Sequence, residues 1–471
     1  MKHLVSYIDV NDRDKKVSII KINNLMISKG KDYFVFYMVL FRFSLDYLYV
    51  SALKKYSVTS ELLSTGLYHL EINRMKYILS WLLFLLTVFF INKCILVTKD
   101  KASEIIILGL YIMSFIPSIS LFGLGNLDYT YLLYFMVFWI MLLGSSFIIC
   151  SLKYKNSKAI LISNSLKNVK MRYMIWKIII FIFCFGVILI SWNYSGLELN
   201  LTLDHDKIYK LRSEVKPGML VNYFRNNAMF IVIPVAVIFC LQKRKWLILP
   251  FLVWIQLLSY GVDNQKAALF ILPVSILGYI FYKKYLVGII PKLLFLGNLA
   301  IYVEAIIGKS SFLISNLLER VYYLPAMLSN CYFEYFKDRQ VVLPAVSLLE
   351  KLDLVTDYPY KAGVPYLIAG EYLHNPAISA NTGMFGNAFS YGLIGVIIIP
   401  ITYSFLFYLL DRATSNLQIK TYISVLIILV FVITGASIFV VLLVYGFIVT
   451  LIMLSLVNQK SKFQIEGDLS H

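Results

Sequence analysis

The 471-residue chain is 59% hydrophobic and 15% charged, with a mean hydropathy of +0.75, and it repeats apolar runs long enough to cross a bilayer core. These figures exclude a string of soluble domains and describe one polytopic, all-α membrane protein. The net charge of +18 is scattered through short connecting segments with no RNA- or DNA-binding module, so it speaks for membrane orientation and against a nucleic-acid partner.

Residues 1–32 form a polar arm with seven Lys or Arg, which the positive-inside rule assigns to the cytoplasm. The arm has acidic residues and no early apolar core, unlike a cleavable signal peptide. Twelve spans follow, at 33–53, 77–98, 102–122, 129–150, 174–193, 221–241, 246–260, 267–282, 285–306, 384–410, 421–434 and 436–456, with both termini cytoplasmic. The last two are one apolar run interrupted only by Thr434, Gly435, Ala436 and Ser437, and a tight hairpin is expected there. Charge supports this order: the segments assigned to the cytoplasm hold 25 Lys and Arg, against 15 on the other face. The first external loop runs against the trend, since Lys54, Lys55, Arg74 and Lys76 outnumber Glu61 and Glu71. Leu199, Leu201, Leu203, Ile208 and Leu211 suggest an interfacial amphipathic element before the sixth span.

The 75 residues from Gly308 to Thr382 are the one long interruption of the membrane pattern, and long connections of this kind tend to be lids or binding loops. Parity places this loop outside. Leu317, Val321, Leu324 and Leu328 predict that it opens with an amphipathic helix kinked near Pro325, with Arg320 on a more polar side. Its aromatic residues, Tyr323 among them, either stack on sugar faces or form an interfacial belt. In GEYLHNP, Glu371 and His374 are three apart and share a face if the piece is helical, an arrangement suited to a general base with an orienting imidazole or to a structural hydrogen bond. Asn381, Thr382 and Gly383 read as a helix entrance, and Gly386, Gly392 and Gly395 would permit close helix packing beyond it.

Fixed positive charge collects on the same face. Arg212 and Lys216 precede the sixth span, Arg225 lies one or two turns inside it, and Asp263, Asn264, Gln265 and Lys266 form the polar turn between the seventh and eighth spans. Charges at membrane depth need partners or a wet cavity. Arg212, Lys266 and Arg320 lead as a phosphate or pyrophosphate set, because guanidinium forks bind phosphate oxygens bidentately. Alternatively Arg212 and Lys266 pair with Glu214 and Asp263, and Arg225 snorkels to the interface. The five cysteines and five histidines are dispersed, with no metal-ligand spacing, so neither a metal nor a cofactor is expected.

Taken in order, ERVYYLPA (Glu319–Ala326), YGVDNQKAALF (Tyr260–Phe270) and NTGMFGNAFSYGLIG (Asn381–Gly395) resemble the bacterial O-antigen polymerases, oligosaccharide repeat unit polymerases of the Wzy type. The resemblance covers residues 200–400. It implies a GT-C-like, metal-independent glycosyltransferase of the inner membrane, working on undecaprenyl-pyrophosphate-linked oligosaccharides at the periplasmic face, with a polysaccharide chain-length regulator as a partner beside the membrane lipids. The motif cations then correspond to Arg212, Lys266 and Arg320. Apart from the resemblance, the residues themselves offer Lys216, Arg225, Tyr323 and Asn381 as further substrate contacts and Glu371, His374 and Asp263 as candidate catalytic groups. An O-antigen ligase shares the donor and the large loop. A lipid-linked oligosaccharide flippase also suits twelve spans, but its charges belong at the membrane centre.

Overall fold

The computed structural model describes residues 33–53, 70–96, 101–151, 169–199, 217–282, 286–308, 312–339, 360 and 362–457, and among these the regular structure is all helical. The N-terminal arm and the expected amphipathic element before the sixth span lie outside the described residues. Ten helices are long and apolar enough to cross a membrane: α1 (Tyr33–Leu53), α2 (Arg74–Ile95), α3 (Ala102–Leu124), α4 (Tyr129–Ile149), α5 (Lys170–Ser195), α6 (Met219–Gln242), α7 (Trp246–Asp263), α9 (Leu286–Ile307), α13 (Gly392–Thr414) and α15 (Ile438–Val457). Two shorter apolar helices, α8 (Lys266–Phe281) and α14 (Ile423–Gly435), occupy the remaining predicted spans. The chain is a multi-pass membrane protein.

Contacts at the helix ends follow strict alternation. At the long-loop end, Glu71 N donates to Leu124 O (3.0 Å) and Gly383 N to Thr434 O (2.9 Å). At the opposite end, Gln242 Nε2 reaches Thr421 Oγ1 (2.7 Å), and the Asp411 carboxylate accepts from Ser103 N (2.8 Å) and Oγ (2.6 Å), capping the start of α3. α3 and α6 are enclosed on nearly all sides, as expected of helices apolar all round, whereas α5 and α9 leave most of their surface to lipid.

Two departures from the predicted layout matter. The tenth span is not one helix: α12 (Met384–Phe389) stops at a turn through Ser390 and Tyr391, and Gly392, at φ +68°, redirects the chain into α13. The long loop also does not simply leave the bundle. Its first described part is a helix, α10 (312–336), whose start is capped by Glu304 of α9, with Leu313 N to Oε1 at 3.1 Å and Ile314 N to Oε2 at 3.0 Å. α10 then crosses the loop ends of its neighbours: Tyr322 packs edge-on to Phe41, Tyr323 against Tyr49, and Phe333 against Tyr131 and Phe389. A wide π-helical stretch, Ile314–Tyr323, rotates its apolar stripe, so Ile314, Leu318, Tyr322 and Tyr323 are buried while Leu317, of the predicted stripe, is exposed.

A polar cluster locks α10 to the bundle. Arg42 is fully buried, gives Nη1 to Ser80 O (2.7 Å) and Nη2 to Ser80 Oγ (2.6 Å), and lies 4.5 Å from the Trp81 ring centroid. Its i+4 neighbour Asp46 stands 3.7 Å away and accepts from Tyr77 OH and Ser120 Oγ. Tyr323 OH, 3.3 Å from Ser120 Oγ, donates to Leu45 O at 3.1 Å. A charge pair so enclosed is tolerable because its members attract each other and are hydrogen-bonded to Ser80, Tyr77 and Ser120, although Arg42 Nε is left without a hydrogen-bond partner.

Candidate functional site

Three consecutive polar residues on α6, Arg225, Asn226 and Asn227, are all buried, at 1%, 7% and 6% exposure. Successive helical positions point about 100° apart, so no single polar face can hold them, and each must be met by a different neighbour. A π turn at Ala228–Val232 follows directly, and Gln256 Nε2 of α7 donates to its Met229 carbonyl (3.3 Å) and to Ala268 O of α8 (2.9 Å). α6, α7 and α8 are thereby pinned together just below their loop ends.

Above that pin, Arg225 Nη2 forms an ion pair with Asp263 Oδ2, and Asp263 Oδ1 accepts Gln265 N at 3.2 Å. Asn264 takes the left-handed conformation (φ 51°) that closes α7, so α8 begins at Lys266 within three residues of the pair. Arg225 therefore does not snorkel, and Asp263 has an arginine of the preceding span as a partner. Beyond this pair, Arg225 Nε and Nη1, Asn226 Oδ1, Asn227 Oδ1 and Ser259 Oγ are buried without a hydrogen-bond partner in the protein. Buried polar atoms without partners are uncommon and need a reason; the charged donors among these are Arg225 Nε and Nη1.

Further hydrogen bonds tie α6 to α15, and the end of the long loop to α14 and α10. Asn227 Nδ2 donates to Leu443 O (2.9 Å) and Val444 O (3.2 Å), where α15 is interrupted before Phe447. Gly383 binds the end of α14, Thr382 Oγ1 reaches Pro325 O (3.3 Å), and Tyr332 OH of α10 reaches Ala380 O (3.0 Å). Comparison with protein-family models, curated proteins and solved structures finds no match. The site must be read from its own chemistry.

Among the residues singled out from sequence, Arg225, Asp263 and the backbone of Lys266 come together. Arg212 and Lys216 lie outside the described residues, as does the side chain of Lys266. Arg320 is exposed on α10 beside the buried Glu319. Tyr323 is wholly enclosed and bonded to Leu45 O, which makes it a docking residue of α10 and closes it to substrate. Asn381 is exposed and accepts from Ser379 Oγ at 2.8 Å. Glu371 and His374 do not share a helical face: α11 (Val364–Tyr372) ends first, Asn375 N returns to Ala369 O (3.2 Å), and His374 has φ 53°. Glu371 instead pairs with Arg339 at 3.2 Å, and that guanidinium lies 3.9 Å from the Tyr335 ring centroid. Burial pushes the neighbouring Tyr372 phenol up to about 12, leaving it a neutral donor.

Sequence reading missed Asn226, Asn227, Gln256 and Ser259. A signal was present for two of them, because Gln256, Ser259 and Asp263 fall at i, i+3 and i+7 and make one polar stripe along an apolar helix.

Proposed function

We propose that the protein is a GT-C-like glycosyltransferase that polymerises lipid-pyrophosphate-linked oligosaccharide repeat units in O-antigen or capsule synthesis, with undecaprenyl pyrophosphate as carrier. The observation that carries this reading is Arg225, a guanidinium 1% exposed at the long-loop end with Nε and Nη1 unpartnered. They point to different edges of the guanidinium, so each is a separate charge-assisted donor for a phosphate oxygen. Asp263 supports the reading by holding Nη2, which makes it an orienting group for the guanidinium. The start of α8 adds helix N-terminal amides on the same side.

In the reaction, a hydroxyl of the acceptor repeat unit attacks the anomeric carbon of the donor glycan. The new glycosidic bond forms as the bond to the pyrophosphate oxygen breaks, and the hydroxyl proton passes to a carboxylate, for which the exposed Glu371 is the candidate. Fixed cationic charge stabilises the departing pyrophosphate, as preorganised donors do wherever charge develops. On this reading the chain resides in the bacterial inner membrane with both termini cytoplasmic, the long-loop end faces the periplasm, and a chain-length regulator acts beside it.

Deleting the gene tests the proposal. Lipopolysaccharide cores capped with a single repeat unit are the expected product. Loss of every O-antigen band, that single unit included, would point instead to a ligase or a flippase.

A further inference from the structure

At the end opposite the long loop, α5 and α6 meet through three aromatic rings. Tyr173 and Trp176 stack at 5.7 Å, and Phe239 lies 4.7 Å from Trp176 and 5.8 Å from Tyr173. Two exposed lysines, one from each side of the seam, sit over this cluster: Lys177 Nζ is 4.6 Å from the Tyr173 ring and Lys243 Nζ 6.0 Å from the Phe239 ring. Helical spacing explains the grouping on α5, since Tyr173 and Lys177 are four apart and Trp176 stands one turn from Tyr173. Trp176 is 4% exposed, and its indole Nε1, a donor that usually finds a partner when buried, has none in the protein.

Charge at this end is one-sided. α6 is closed by Lys243 N on Phe239 O (3.0 Å) and Lys245 N on Cys240 O (2.9 Å), so its last turn presents the exposed Lys243, Arg244 and Lys245 side chains instead of bare carbonyls. Among the described residues the acids here are Glu104 and Asp411, both buried, and Asp411 is occupied by Ser103. Further along α5, Ile178, Phe181, Ile182 and Phe185 are exposed in succession. Lys177, one turn from Phe181, sets a cation above this exposed hydrocarbon strip while Trp176 faces the seam with α6, a combination that suits an amphiphile with an anionic head.

We propose that the α5–α6 seam binds the phosphate headgroup of an anionic phospholipid. Trp176 Nε1 donates to a phosphate oxygen, Lys177 and Lys243 supply charge, and the acyl chains run along the Phe181 side of α5. Inorganic phosphate shares the head chemistry but has nothing to place on that strip. The site is at the opposite end from the proposed polymerisation centre and stands or falls independently of it.

The test is lipid retention by the purified full-length protein, with phosphatidylglycerol or phosphatidylcholine added to the detergent and bound lipid counted by native mass spectrometry. The wild type should retain phosphatidylglycerol preferentially, and excess inorganic phosphate should not displace it. Lys177→Gln and Lys243→Gln should each weaken retention roughly fivefold, as expected for one lysine at an anionic surface. Trp176→Phe, which keeps the ring and removes the donor, should weaken it about tenfold, and Lys93→Gln on α2 should change nothing. Because both seam lysines are exposed, their variants report even if Trp176→Phe fails to fold. Equal retention of the two lipids, wild-type retention by the lysine double variant, displacement by phosphate, or an equal loss in Lys93→Gln would overturn the proposal.

Discussion

Arg225 and Asp263 join α6 to α7 through Nη2 of the guanidinium and leave Nε and Nη1 without a hydrogen-bond partner. The pair therefore has two separable consequences, one for stability and one for binding. Removing Asp263 strands a buried cation, which typically costs about 3–5 kcal/mol. Asp263→Ala should accordingly lower the thermal midpoint of the detergent-solubilised protein sharply, and a midpoint equal to that of the wild type would show that the pair is not maintained.

The enclosed pair Arg42 and Asp46 makes a prediction about coupling. Each single replacement, Arg42→Met or Asp46→Leu, should destabilise by about 3–5 kcal/mol, whereas the double replacement should cost much less than the sum. Thermal unfolding of the four proteins completes the cycle. Strict additivity would mean that the two side chains do not interact.

Gly383 is where the long loop touches the end of α14, and a Cβ there would fall 1.8 Å from Ile433 O. Since both contacting groups are backbone, neither can move aside as a side chain would. Gly383→Ala should destabilise by about 3 kcal/mol or more, read as loss of the monodisperse peak in fluorescence-detected size exclusion. In contrast, Arg339→Ala removes an exposed pair with Glu371 and should change stability by less than about 1 kcal/mol.

The predicted apolar segments fall on helices, ten of them long enough to cross a membrane and the tenth predicted span divided between α12 and α13, because length and hydropathy are local properties that a bilayer imposes on each span separately. α10 was legible only as a helix inside a loop. Its Glu319, Arg320, Tyr322 and Tyr323 depress hydropathy, yet the two tyrosines are accommodated by groups distant in sequence, Phe41 for Tyr322 and Leu45 O and Ser120 for Tyr323. The π-helical stretch also moves the buried stripe off the regular 3.6-residue period from which Leu317 was read as inward. At the candidate site, the polar turn at Asp263 was visible, but its partner was not. Pairing of Arg225 with Asp263 depends on which spans become neighbours, and nothing local in the sequence specifies that. His374 failed for a local reason, since its separation from Glu371 implied a shared face only while the helix continued.

Span order predicts sidedness. Ser157→Cys, between the fourth and fifth spans, and Ser347→Cys, in the long loop, should behave oppositely toward a membrane-impermeant thiol reagent in intact cells, with only the second labelled. Labelling at residue 157 would invert or break the proposed orientation.

The most direct test of the central claim, that Arg225 binds the pyrophosphate of a lipid-linked glycan, is the rate of repeat-unit polymerisation by purified protein in proteoliposomes, followed by release of undecaprenyl pyrophosphate. Arg225→Lys preserves the buried charge and its pairing with Asp263 but lacks the further guanidinium donors at Nε and Nη1. It should fold normally and slow the reaction by roughly one to two powers of ten, the value of a charge-assisted hydrogen bond of about 1.5–3 kcal/mol. A folded Arg225→Lys protein working at the wild-type rate, or a wild type that makes nothing longer than one repeat unit, would contradict the account.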